Sequence, residues 1–226
     1  MPSNIISIIY STLYFVLSAA MYVVLVPQKE QFQDYKKARK TMGTAFMLIG
    51  LFGLYRSTVT APPGKSHIIF CIICLLSLVF ATLNFLGFLY ISETSNARIR
   101  KVFRGFLLGA AIITTCSIAG AFIEEIAFIS RIINISTYGI ITCYIFVQSL
   151  MEYRKCSNRI NSYYSNHTWD ISWMHVLLWI TFILAMAMIA AFYIYSIRTY
   201  IGFASMLFYT YLTFKVLSFV PATIDS

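Results

Sequence analysis

Seven long apolar runs, separated by short polar segments, occupy most of this 226-residue chain. The hydrocarbon core of a bilayer is about 30 Å thick, and a helix needs about 20 apolar residues to cross it. Lipid offers no hydrogen bonds, so a spanning segment that is oily throughout has to be helical. The sequence therefore predicts an all-α integral membrane bundle of seven transmembrane helices. The predicted spans are residues 4–26, 41–60, 67–91, 105–122, 132–151, 173–196 and 201–219.

The composition excludes a soluble globular domain. Hydrophobic residues make up 59% of the chain and charged residues only 11%, whereas soluble domains carry about 45–50% and about 25%. The polar segments between the runs are too short to fold alone. We therefore expect residues 1–226 to form a single transmembrane domain.

Basic residues are distributed unevenly between the two sets of connecting segments. Those after predicted spans 1, 3 and 5 carry most of them, and this excess is typical of cytoplasmic loops. We expect the amino terminus outside, the carboxyl terminus in the cytoplasm, and a location in the bacterial inner membrane. The basic residues on the predicted cytoplasmic side are Lys29, Lys36, Lys37, Arg39, Lys40, Arg98, Arg100, Lys101, Arg104, Arg154, Lys155 and Arg159.

Polar side chains inside the predicted spans are the main candidates for ligand binding. They could converge on one cavity and hold a small molecule, although Ser and Thr in membranes more often join helices together. The glycines of "GFLLG" (105–109) predict a close helix contact of the same kind. The candidate ligand-binding residues are Asn84, Thr114, Thr115, Thr142, Gln148 and Thr210.

No arrangement of residues in the sequence is typical of an enzyme. We find no pair of acids, no nucleophile beside a base and no phosphate-binding loop in a catalytic arrangement. The "CIIC" spacing of Cys71 and Cys74 matches a redox dithiol, but the predicted outer loops contain no cysteine to exchange with it. Three histidines are too few for a membrane di-iron site. We expect no catalytic residue, no metal and no cofactor.

Two predicted surface features lie at opposite ends of the bundle. Glu124, Glu125 and Arg131 follow the fourth apolar run and predict an outer ion pair, which is structural or closes the outer mouth of a pocket. The segment "NRINSYYSNHTWDISW" (158–173) precedes the sixth run. Its aromatic residues predict an anchor belt at the inner membrane surface. The predicted anchors are Tyr163, Tyr164, Trp169 and Trp173.

The carboxyl-terminal third carries a family resemblance. The motifs "YIFVQSLMEYRK" (144–155) and "RINSYYSN" (159–166) precede a tryptophan-led helix and the tyrosine-rich "YIGFASMLFYTYLTFKVLSF" (200–219). This pattern resembles the amino-terminal multi-pass membrane domain of Bacteroidetes regulators with an AraC-type helix-turn-helix domain. The chain stops at Ser226, where the DNA-binding half would begin. The resemblance therefore implies a fragment or a stand-alone relative that makes no direct contact with nucleic acid.

The resemblance implies a non-enzymatic sensory or signal-input domain that passes a signal to a cytoplasmic partner. The alternative is a small-solute permease or a substrate-binding subunit of a transporter, in which the polar residues meet at mid-depth. The expected partners are the lipid bilayer, a cytoplasmic signalling protein and a second copy of the chain to form a homodimer.

Overall fold

A computed structural model describes residues 2–24, 32–58, 66–92, 94–163, 172–193 and 195–218. Nearly all of these residues are helical, so the prediction of an all-α fold is confirmed. The seven helices of the described residues are α1 (Pro2–Val23), α2 (Gln33–Thr58), α3 (Ser66–Ile91), α4 (Asn96–Phe122), α5 (Glu124–Tyr163), α6 (Ser172–Tyr193) and α7 (Tyr195–Ser218).

Five of these helices are long and apolar enough to cross a membrane, as expected for a membrane protein. The qualifying segments are His67–Ile91, Asn96–Phe122, Glu125–Arg159, Ser172–Ala190 and Tyr200–Ser218. In α1 the described apolar segment is shorter, Ser7–Val23. Helix α2 is apolar only in its second half, because it begins with "QDYKKARK".

Three helices extend well beyond the predicted spans. Helix α2 begins eight residues before position 41, α4 begins nine residues before position 105, and α5 covers 40 residues where 132–151 was expected. The extensions are rich in Lys, Arg and Glu, which are good helix formers although they lower the hydropathy. The connection expected at residues 197–200 lies inside α7 instead. The apolar runs therefore located the helices but not their ends.

Side-chain contacts establish the relative directions of the helices. Helices α3 and α5 run the same way, because Arg131 contacts His67 near both amino-terminal ends and Arg159 contacts the Ser92 carbonyl near both carboxyl-terminal ends. Helix α4 packs against both in the opposite direction. We refer to these two ends of the bundle as the His67 end and the Glu152 end.

The glycines of "GFLLG" confirm the predicted close helix contact. A Cβ atom on Gly105 would lie 2.9 Å from the Tyr144 ring, and one on Gly109 would lie 2.7 Å from Cγ1 of Ile141. Both contacts are between α4 and α5 of the same chain. Small residues in α4 therefore let these two helices approach closely.

Candidate functional site

One face of α5 carries polar side chains from one end of the bundle to the other. The residues follow one another at intervals of three, four, four, seven and three positions, which places them along a single helical face. All but the first are buried in the structure. We call this surface the α5 polar face; it consists of Arg131, Asn134, Tyr138, Thr142, Ser149 and Glu152.

At the His67 end, the α5 polar face meets a buried histidine and a buried cysteine of α3. Nε of Arg131 donates to Nδ1 of His67 at 3.4 Å, so the neutral ring carries its proton on Nε2. Nε2 lies 3.5 Å from Sγ of Cys71. The guanidinium group also lies over the ring of Phe70, with Cζ 5.8 Å from its centroid. Arg131 thus joins α5 to α3.

Asn134 connects three helices beside this cluster. Its Nδ2 donates to Oγ of Ser117 on α4 at 3.0 Å and approaches Sγ of Cys71 at 3.5 Å, while its carbonyl accepts from Cys74. Its Oδ1 is buried and has no hydrogen-bond partner among the described residues. Gly120 makes room, because a Cβ atom there would lie 2.6 Å from Nε2 of His67.

A cavity of about 60 Å³ lies further along α5, where six helices meet. Four tyrosines line it, from α1, α5 and α7, and the rest of its wall is mostly apolar. No charged side chain is among the described residues that line it. We call this space the tyrosine cavity; its lining includes Tyr10, Tyr14, Ser77, Tyr138, Ser205 and Tyr209.

The hydroxyl groups of the tyrosine cavity differ in their hydrogen bonding. The hydroxyl of Tyr138 donates to the Ala185 carbonyl of α6 at 2.8 Å. The hydroxyls of Tyr10 and Tyr14 lie 3.2 Å apart, so one of them donates to the other. Three further hydroxyls form no hydrogen bond with any other described residue; they belong to Ser77, Ser205 and Tyr209.

Aromatic packing fixes one side of the cavity. Tyr14, Phe46, Phe80 and Tyr209 come from four different helices, and each ring contacts the other three. The closest pair is Phe80 and Tyr209, with centroids 5.0 Å apart and an interplanar angle of 76°. Such edge-to-face pairs contribute about 0.5–1.5 kcal/mol beyond the area they bury. The cavity therefore has a rigid wall on this side.

At the Glu152 end, the α5 polar face finishes in an ion cluster. Oε1 of Glu152 lies 3.1 Å from Nη1 of Arg98 on α4 and 3.0 Å from Nζ of Lys155 on α5. Gln148 also accepts from Arg98, at 3.4 Å. The carboxylate is mostly buried and Arg98 partly so, which reduces screening by solvent.

The structure separates the six residues predicted to bind a ligand. Asn84 and Thr142 are fully buried, and Gln148 joins the ion cluster. Thr114 and Thr115 of α4 and Thr210 of α7 are exposed on the outside of the bundle. None of the six is among the residues that line the tyrosine cavity. They do not converge on one site.

The predicted surface features can be followed only in part. Glu125 is exposed and forms no ion pair with another described side chain, whereas the side chain of Glu124 lies outside the described residues. The two acids lie in the first turn of α5, since the break between α4 and α5 falls at Ile123.

Of the four predicted anchors, only Trp173 has a described side chain, and it packs half-buried against the core. Tyr163 ends α5, but its side chain is outside the described part of the chain, as are Tyr164 and Trp169 altogether.

Sequence reasoning missed most of the α5 polar face and all of the tyrosine cavity. The missed residues include Asn134, Tyr138, Ser149, Glu152 and the tyrosines of α1 and α7. A helical periodicity test on 131–152 would have shown the polar stripe, because its polar residues recur at intervals of three, four or seven positions. The cavity leaves no such signal, since its lining comes from six separate helices.

Within the described residues, no three His, Cys, Asp or Glu side chains could share a metal ion. Comparisons with protein-family models, curated proteins and solved structures gave no match for this chain.

Proposed function

We propose that this chain is a non-enzymatic sensory domain in the membrane, in which a ligand in the tyrosine cavity changes the packing of α5 and a cytoplasmic partner detects the change. One observation carries the proposal. Helix α5 lines the cavity through Tyr138 and continues unbroken past the ion cluster at Glu152 to Tyr163. At 1.5 Å per residue its 40 residues measure about 60 Å, twice the thickness of the hydrocarbon core.

Two groups of contacts on α5 could respond to a ligand in the cavity. The Tyr138 hydroxyl joins α5 to the Ala185 carbonyl, and both residues line the cavity, so an occupant lies directly beside this bond. At the Glu152 end, the pairs with Arg98 and Lys155 join α5 to α4 and to its own last turns. A ligand shifts a conformational equilibrium only by its difference in affinity for the two states.

The proposal includes the topology expected from the sequence. Seven spans in the bacterial inner membrane, with the amino terminus outside, would put the Glu152 end of α5 in the cytoplasm. Exposed Arg154, Lys155 and Arg159 on this part of α5 support that orientation, because basic residues favour the cytoplasmic side. The resemblance to the membrane domains of AraC-type regulators agrees with a signal leaving through this end.

A small-solute permease is the second candidate, and one observation favours it. Oδ1 of Asn84 on α3 and Oδ1 of Asn134 on α5 are buried without hydrogen-bond partners among the described residues. Unsatisfied polar atoms inside a membrane bundle are costly, and they often mark the path of a solute.

Site-specific photocrosslinking in cells tests the sensory role. A photoreactive residue at Asn158, exposed near the end of α5, should give adducts with a cytoplasmic protein. The same residue at Leu107, exposed on the apolar side of α4, is the matched control and should give none. In addition, Ser77→Leu, which fills the cavity, should change the adduct yield at Asn158 by at least about twofold. Equal yields at both positions, or a yield insensitive to the cavity, would contradict a sensory role.

Proteoliposome shrinkage separates the two candidates. The sensory domain should leave the permeability to urea, glycerol and acetamide within about twofold of that of protein-free liposomes. A permease should accelerate at least one of these solutes severalfold, and Asn134→Leu should abolish the acceleration. That result would replace the sensory role by transport.

A further inference from the structure

The size of the tyrosine cavity limits what can bind there. Its volume is about 60 Å³, whereas a cavity of about 150 Å³ accepts benzene and one of about 10–15 Å³ accepts a single water molecule. The space therefore suits a molecule of about two to four non-hydrogen atoms. Larger aromatic or lipid-like molecules do not fit unless the helices separate.

The hydroxyls indicate which chemistry the occupant needs. Ser77, Ser205 and Tyr209 form no hydrogen bond with other described residues, and the Tyr10–Tyr14 pair has two O–H groups but only one O···O contact. Several O–H donors are therefore left over around one small space. An occupant with an oxygen or nitrogen acceptor accepts hydrogen bonds from these O–H groups, and a hydrocarbon does not.

The wall also excludes ions. The described residues that line the cavity carry no charge, so an ion would enter a largely apolar space without a counter-ion. Transfer of an isolated charge into such surroundings is far more costly than transfer of a neutral polar group. The neighbouring charges, Arg131 and Glu152, are already paired with groups at the two ends of the bundle.

We propose that the tyrosine cavity binds a small uncharged molecule of about two to four non-hydrogen atoms with a hydrogen-bond acceptor, such as a short-chain alcohol or a primary amide. Tyr209 donates the hydrogen bond that orients it, and Ser77 and Ser205 contact its polar end. This inference rests on the proposed function, because it names the ligand class of the same input site.

The test compares three probes of equal size on the full chain in lipid nanodiscs. Acetamide, acetate and isobutane each have four non-hydrogen atoms. Acetamide is polar and neutral, acetate is charged, and isobutane is apolar. Ligand-observed NMR should detect saturable binding of acetamide in the millimolar range, and binding of acetate and isobutane at least about tenfold weaker. Tighter binding of acetate or isobutane than of acetamide would overturn the proposal.

Two substitutions locate the binding. Tyr209→Phe removes the donor but keeps the ring, and should weaken acetamide binding about threefold to tenfold, in line with the loss of one hydrogen bond. Tyr144→Phe is the matched control, because Tyr144 is exposed and does not line the cavity, and it should bind acetamide like the wild type. Ser77→Leu fills the cavity and should abolish acetamide binding. If this variant does not fold, the comparison of Tyr209→Phe with Tyr144→Phe still shows whether acetamide binds in the cavity.

Two further outcomes of these experiments would contradict the proposal. No saturable binding to the wild-type chain would show that the cavity holds only water and would overturn the proposed ligand class. Unchanged binding in Tyr209→Phe would place the site elsewhere. The photocrosslinking at Asn158 does not depend on these probes, so failure of the ligand class and failure of the sensory role can be told apart.

Discussion

Helices α4 and α5 pack against each other in opposite directions, yet they bury different kinds of side chain. Helix α4 buries small or apolar residues and turns Leu107, Leu108 and Thr115 outward. Helix α5 buries the α5 polar face and turns Ile133 and Ile140 outward. Both segments qualify as membrane spans. Two helices that both qualify as membrane spans therefore differ in their buried faces, because the buried face of α5 is much more polar than that of α4.

The difference follows from the environment of each face. Lipid tails solvate apolar side chains as well as a protein core does, so burying leucine inside the bundle gains little. Polar side chains gain more from burial, because lipid gives them no hydrogen-bond partner. A helix with polar residues at helical spacing, such as α5, is therefore drawn to the centre of the bundle. Glycines on α4 allow the close approach.

Among the substitutions that test the difference between α4 and α5, the largest effect on the free energy of unfolding is expected at Gly109. A leucine there would collide with Ile141, because even a Cβ atom would lie 2.7 Å from its Cγ1. We expect Gly109→Leu to lower the free energy of unfolding by about 3 kcal/mol, the upper end for overpacked sites. SDS-driven unfolding in mixed micelles measures it. Ala111→Leu, on the exposed face of the same helix, is the control and should change the value by less than about 0.5 kcal/mol.

The next effect is expected at the ion cluster. Glu152→Gln keeps the size and one acceptor but removes the charge that pairs with Arg98 and Lys155. We expect a loss of about 1–2 kcal/mol, because a partly buried Arg98 is left with weaker hydrogen bonds. Glu125→Gln on the same helix has no described ion pair to lose and should be neutral. Equal losses in the two variants would refute the special role of the α5 polar face at this end.

The same comparison explains how much of the fold could be predicted. Apolar runs predicted the helices, since only helices satisfy the backbone in lipid. They could not predict the start of α2 or the length of α5, because Lys, Arg and Glu continue a helix while ending an apolar run. The small-residue pair Gly105 and Gly109 could be identified, because its local spacing defines the contact.

The candidate site was much harder to predict. Thr114 and Thr142 lie in similar apolar runs, yet one is exposed and the other is fully buried. Their positions depend on how the helices are rotated, which the local sequence does not specify. Glu152 meets Arg98 across 54 positions of the chain. The four tyrosines of the cavity lie inside three different predicted spans, and the local sequence does not show that they face one another.

A smaller effect is expected at Tyr138, which joins α5 to α6. Tyr138→Phe removes the hydrogen bond to the Ala185 carbonyl and keeps the ring. We expect a loss of about 0.6–1 kcal/mol in SDS-driven unfolding, the usual size for one hydrogen bond in a membrane bundle. Tyr209→Phe should cost less than Tyr138→Phe, because its hydroxyl has no described partner. The reverse order would contradict the hydrogen bonding assigned to the cavity.

The smallest effect contrasts the buried cluster at Glu152 with an exposed ion pair on α2. Asp34 and Lys37 lie 2.7 Å apart, about half exposed, and the hydrogen bond to Asp34 raises the pKa of Lys37 above its usual value. Because the pKa of Lys37 is higher in the folded protein than in the unfolded chain, the pair stabilises the fold fully at pH values below the unfolded-state pKa. This stabilisation is lost as the pH rises through the folded-state pKa. Asp34→Asn should return the pKa of Lys37 to its ordinary range in NMR titration of ¹³C-methylated lysine. The free energy of unfolding at neutral pH should change by at most about 0.5 kcal/mol, since exposed pairs are weak. A loss as large as that of Glu152→Gln would show that burial is not what distinguishes the α5 cluster.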